Sequence, residues 1–174
     1  MAAAGETNVD LNLAAKGTGE IIQTASSTTQ RNGNFLTAGD AQAVNYVLRG
    51  ATNGTTPTEI FIDGIGAGDL RMVLSTDSTW SFRALVVARK NDANDSAGYS
   101  ISGCIDNNAT TVDLVGTTTV EDWVKEDSAG WAVAFSADNT NKSLKCEVTG
   151  PAAGPSVNWV AYVQTVQVTV PDVY

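Results

Sequence analysis

A chain of 174 residues fits one medium-sized domain with at most a short appendage, and at that size folding buries roughly 70% of the unfolded surface. The 10 Lys and Arg against 19 Asp and Glu leave a net charge of −9, which excludes the basic stripe of a nucleic-acid binder and disfavours contact with anionic membranes. The chain has no His, so Ser-His-Asp, Cys-His and His-metal sites are excluded; two Cys alone are too few ligands for structural zinc. Nothing in the composition calls for a cofactor. Sixteen Gly, with Thr, Asn, Ser and Val recurring throughout, favour short strands joined by turns over long helices.

The opening MAAAGETNVDLNL has neither a charged leader nor a continuous apolar run, and no stretch of about 18 apolar residues appears anywhere. Folding in a cytoplasm without a signal peptide or membrane insertion is therefore expected. Residues 1–40 are poor in large apolar side chains. Within them Val9, Leu11 and Leu13 alternate with polar or small residues, Lys16–Gly17–Thr18–Gly19 makes a tight turn, and Glu20–Gln23 returns as a partner strand. A lone hairpin of this size is marginal in water. The stretch SSTTQRNGN after it reads as a loop or linker, closed by a turn at Asn32–Gly33.

From about residue 43 the pattern becomes a succession of strands: Val44–Arg49, Thr58–Asp63, Leu70–Leu74, Thr79–Arg89, Tyr99–Ile105, a weaker one near Val112–Val115, Val120–Val124, Trp131–Phe135, Leu144–Val148 and Val157–Val170. Nine or ten strands with turn chemistry between them predict an all-β fold, an antiparallel, jelly-roll-like β-sandwich over residues 41–174 preceded by a short N-terminal hairpin or extended arm over 1–40. Thr79–Arg89 is the longest apolar run and reads as a central strand buried on both faces; Val157–Val170 carries sizeable residues on both of its faces and reads as central or as packed on both sides. Helix is a second possibility at Asp40–Tyr46 and around Glu121–Lys125, although neither stretch sustains helical spacing.

Candidate chemistry is sparse. GIGAG at residues 64–68 lacks the strand–turn–helix context of a dinucleotide fingerprint and reads as a bend. Asp63 and Asp69, and the cluster Glu121, Asp122, Glu126 and Asp127, offer paired carboxylates for glycoside hydrolysis; a solvated turn or edge explains them better. Asn91–Asp95 holds oxygen ligands without the order of a dedicated calcium loop and reads as a hairpin turn. Cys104 and Cys146 read as buried thiols, with a disulfide as the alternative. Trp80 and Trp159 lie in apolar alternation and read as core, whereas Trp123 and Trp131 border an acidic turn and leave room for one exposed aromatic.

Two groups of segments carry a resemblance. VDLNLAAKGTGEII is similar to the repeat of bacteriophage tail fibres. The ordered set VLRGATNGTTPTEIFIDG, STWSFRALVVARKND, YSISGCIDNN, EDSAGWAVAFSADNTNKSLKCEVTG and VNWVAYVQ resembles a domain of phage fibre and virion-associated proteins. The resemblance implies a non-enzymatic virion structural protein, a homotrimer with an all-β outer domain that contacts other capsid or tail proteins and ends on the virion surface after folding in the host cytoplasm. Unlike a long fibre, this chain has one repeat-like hairpin, so a short spike or capsid-decorating cement protein is an equal expectation. Three copies around an axis would enclose Leu11, Leu13, Ile21 and Ile22, the expected assembly contacts. The alternative is a carbohydrate-binding module that recognises a host surface glycan.

Overall fold

The computed structural model describes residues 27–31, 41–64, 70–91, 94–116, 119–151 and 155–170. They form eleven strands and no helix: β1 (Ser27–Arg31), β2 (Ala41–Thr52), β3 (Thr58–Glu59), β4 (Met72–Val73), β5 (Ser78–Lys90), β6 (Ser96–Asn108), β7 (Thr111–Leu114), β8 (Val120–Glu126), β9 (Ala132–Asp138), β10 (Ser143–Thr149) and β11 (Val157–Thr169). The large sheet has the order β1-β2-β11-β5-β6, with β7 and β8 sharing the far edge of β6; the small sheet places β9 on one side of β10 and both β3 and β4 on the other. Every pairing is antiparallel. The expected all-β antiparallel sandwich is what the residues form. The hairpin expected before residue 27, with Leu11, Leu13, Ile21 and Ile22, lies outside the described residues.

The large sheet is built on two 13-residue strands, β5 and β11, that pair along their whole length from Val157↔Lys90 to Thr169↔Ser78. Both alternate strictly between buried and exposed positions. Trp80, Phe82, Ala84, Val86 and Ala88 of β5, with Val157, Trp159, Ala161 and Val163 of β11, point inward and are 5% exposed or less. The small sheet covers this inner face. Leu144, Cys146 and Val148 of β10 and Val133 and Phe135 of β9 meet it in one continuous core. Aromatic rings make the contact between sheets: Phe82 against Phe135 at 5.4 Å and Trp131 against Trp159 at 5.6 Å, both tilted, the geometry that the ring quadrupoles favour. The fit is close enough that Gly103, opposite Phe82 in the register, has no room for a side chain; a Cβ there would lie 2.7 Å from the Phe82 ring.

Buried polar groups are mostly satisfied within this frame, as an apolar interior requires. Trp159 Nε1 donates to Thr52 Oγ1 at 2.9 Å, and Asn107 Nδ2 to the Leu74 carbonyl at 3.1 Å. Gln167 Nε2 donates to Thr165 Oγ1 and to the Tyr46 hydroxyl, and Thr165 in turn donates to the Val44 carbonyl.

Where helix was the second possibility, residues 41–46 and Glu121–Lys125 are strand, as first expected, within β2 and β8. Three sequence expectations need correction. The stretch read as a linker contains β1, which extends the large sheet by pairing Ser27–Arg31 with Gln42–Tyr46. Thr58–Asp63 and Leu70–Leu74 contribute only the two-residue strands β3 and β4, with a single bridge from Phe61 to Arg49. Most consequentially, β5, read as buried on both faces, is buried on one, with Val87 and Leu85 59% and 46% exposed; β11 is central, as one of its two readings had it, and its Val160, Val166 and Val168 are 43%, 69% and 42% exposed.

The two faces of one strand should therefore respond differently to substitution. Phe82→Ala is expected to lose about 3–5 kcal/mol of unfolding free energy, the usual range for a buried aromatic, whereas Leu85→Ala, three residues along on the other face, loses under about 1 kcal/mol; urea denaturation at low protein concentration measures both.

Candidate functional site

The outward side chains of β2, β11, β5, β6 and β8 are arranged in rows across the strands, because register partners in an antiparallel sheet point to the same side. One row is polar: Asn45, Gln164, Arg83 and Ser102 are successive partners. The next is apolar: Val47, Tyr162, Leu85, then Ser100 and Trp123. Beyond it run Arg49, Val160, Val87 and Gly98. On the other flank Ala43, Val166, Ser81 and Cys104 form a row of small and branched residues. A shallow depression of about 580 Å³ lies over the polar row, lined among others by Asn45, Ser81, Arg83, Ser102 and Gln164.

Trp123 marks one border of this face. It is 43% exposed, whereas Trp80, Trp131 and Trp159 are 5% or less. Its ring rests on Gly98, where an added Cβ would sit 3.2 Å from it, so the glycine provides the seat that keeps the indole flat against the sheet. Of the two aromatics that the sequence placed beside an acidic turn, Trp131 is thus core, its Nε1 donating to Ser128 Oγ at 3.0 Å, and Trp123 is the exposed one.

Three of the candidate carboxylates, Asp122, Glu126 and Asp127, are held by separate donors. Asp122 accepts from Ser100 Oγ at 3.0 Å and Ser102 Oγ at 3.3 Å, and lies 3.9 Å from Arg83 Nε. Glu126 accepts from the Tyr99 hydroxyl at 2.6 Å, and Asp127 from the Ser96 amide at 2.8 Å. All seven residues of β8 are exposed, so these groups sit on a solvated edge. Asp69 and Asp92 lie outside the described residues, and no cluster of three or more metal-ligating side chains occurs among those described. Asn91 is held in its turn by Ser156 and Asn158. Both thiols are free: Cys146 is buried between the sheets, while Cys104, against expectation only partly buried, stands on the outer face in register with Ser81.

Three inward groups have shifted titrations. Burial pushes the Tyr99 phenol far above its usual range, and the neighbouring Glu126 carboxylate adds to the effect. Burial also raises Tyr46, partly offset by its hydrogen bond from Gln167, and raises the Cys146 thiol strongly.

No family model matches the chain, and no curated protein matches it. Among solved structures it is similar to the tailspike protein of Acinetobacter phage vB_ApiP_P1, at 14% identity and a TM-score of 0.35, over 91% of this chain and 25% of that one. It is also similar to the tailspike protein of Acinetobacter baumannii phage AM24, at 8% identity and a TM-score of 0.34, over 71% of this chain and 27% of that one. The chain thus spans about a quarter of the length of the structures it matches.

The raised groups set the alkaline limit of the fold. An acid whose folded pKa lies above its unfolded value stabilises the protein at lower pH and loses that contribution as pH rises past the unfolded value. Unfolding free energy should hold through neutrality and fall once pH passes 9.0 and then 10.0, the ordinary thiol and phenol values. Tyr99→Phe should flatten that fall, as read by urea titrations between neutral and alkaline pH; an equally steep fall in the variant would remove Tyr99 from the explanation.

Proposed function

We propose that the chain is a non-enzymatic structural domain on the surface of a bacteriophage particle, working as a homotrimer in a short fibre, spike or capsid-decorating protein. One observation carries the reading: the largest sheet of the sandwich has a completed core on one face and an unfinished, partly apolar surface on the other. Leu85, Val87, Val160, Val166 and Val168 stand exposed on two central 13-residue strands, β5 and β11, more than a solvated sheet face needs. A protein that functions by being packed against others in many copies has that form. The ordered segments that resemble phage fibre domains support the same reading from the sequence side. Support for a role without catalysis comes from Asp122, Glu126 and Asp127, placed on an exposed edge with separate donors.

A second reading keeps one specific observation in its favour. The depression over Asn45, Gln164 and Arg83, with Tyr162 in the adjoining row and Trp123 at the border, offers amides, a guanidinium and aromatic faces side by side. Those are the groups a saccharide engages, so a host-glycan recognition module is the alternative.

Light scattering of the full chain separates the two. Three times the 18.1 kDa chain mass is expected at micromolar concentration. A monomer retained on immobilised bacterial surface polysaccharide would favour the recognition module instead, and release of reducing sugar from that polysaccharide would contradict a non-enzymatic role.

A further inference from the structure

On the reading that the chain self-associates, we infer that the contact is edge on face: the β7–β8 edge of one copy lies against the outer face of β2, β11 and β5 of the next. Charge is the first argument. The protein is strongly acidic, yet none of the outward positions of β2, β11 and β5 is Asp or Glu, and Arg49, Arg83 and Arg89 are among them. Carboxylates of the outer face appear only beyond β5, towards the opposite edge: Asp106 on β6, Asp113 on β7 and Asp122 on β8; Glu121 and Glu126 stand on the same edge strand beside Lys125, in register with the inward Ile101 and Ala97. The sheet is therefore basic and apolar on one part and acidic on another. Two such faces laid on each other would oppose Arg to Arg, whereas an acidic edge on a basic face pairs opposite signs.

The shapes agree. Strands β7 and β8 lie end to end along β6, with partners from Ala97 to Asn108, so the edge they make runs nearly the length of the face it would meet. That edge also carries apolar groups, Val115, Val120, Trp123 and Val124, at 47%, 60%, 43% and 37% exposure, to set against Val87, Val160 and Val166. No described strand pairs with the free side of β8. An exposed edge of this kind needs cover or charge to avoid uncontrolled pairing, and β8 has the charge already.

The face that would be covered is of moderate size: three strands, two of them of 13 residues, span about 600 Å² at ~3.3 Å rise and ~4.8 Å spacing, below the roughly 800 Å² per partner of a standard specific interface and in the range of a weaker contact. Because the two surfaces differ, the contact is heterologous. Repeated around an axis it closes a ring in which each sheet abuts the next, as the sides of a prism do.

Charge reversal on the full chain tests this. Arg83→Glu with Arg89→Glu alters the face; Asp113→Lys with Glu121→Lys alters the edge. Each pair alone is expected to reduce the mass in solution to that of one chain, and the four together to restore the assembled mass, with unchanged thermal midpoints of the dissociated chains as the folding control. An assembly unaffected by either pair would place the contact elsewhere and overturn the inference while leaving self-association standing. Dissociation by Val87→Glu with no recovery in the fourfold variant would overturn it too, in favour of a face-to-face contact. A native chain that is monomeric at every concentration would remove the reading on which the inference rests.

Discussion

The full-length pairing of β5 with β11 is the constraint on which the remaining structure depends. Thirteen consecutive register partners fix the direction of every side chain on both strands, because a slip of one residue would exchange the two faces. With that register set, Trp80, Phe82, Val86, Trp159 and Val163 must point to one side. The small sheet has a single place to go, over the aromatic surface they create. The same register sends Arg83, Leu85, Val87, Val160, Tyr162 and Val166 to the other side, so one pairing defines both the core and the surface proposed for assembly.

The two sides differ in completeness. Inside, rings are tilted against one another, the indole of Trp159 has its acceptor, and glycine is required where Phe82 presses on β6. Outside, rows of branched apolar residues alternate with a row of amides and a guanidinium, with acidic groups collected at one edge. A mixture of that kind suits a contact between proteins, where apolar burial supplies much of the driving force and charge sets partner and orientation.

Much of this was legible in the sequence, and the exceptions have physical causes. The runs Val44–Arg49, Leu144–Val148 and Trp131–Phe135 are read as strands and fall on β2, β10 and β9, and the glycine- and asparagine-rich turns separate them. Ser27–Arg31 is a strand that no pattern announces: STTQR has no apolar alternation, and its place in the sheet comes from pairing with β2. Val120–Val124 is read as a strand but its place is not legible, since an edge strand exposed at every position has no buried face to record. Trp123 could not be told from Trp131 because both adjoin the same acidic turn; the distinction lies in Gly98, distant in sequence and flat beneath the indole. The run TWSFRALVVAR reads as buried on both faces and VNWVAYVQTVQV as central or packed on both sides, while the described residues bury only one face of each. The proposed assembly supplies the reason for that mismatch: the sequence carries the apolar demand of a sheet packed on both sides, and the second cover comes from a neighbouring copy.

Hydroxyl-radical footprinting of the full chain over a range of protein concentrations tests that claim most directly, because it reads the solvent access of individual side chains. Leu85, Val87, Tyr162, Val166 and Trp123 should be protected from oxidation at high concentration and become reactive on dilution, while Trp159 and Phe82 stay protected throughout. Equal reactivity of the outward residues at every concentration would contradict the proposed assembly, since it would mean that nothing covers the second face.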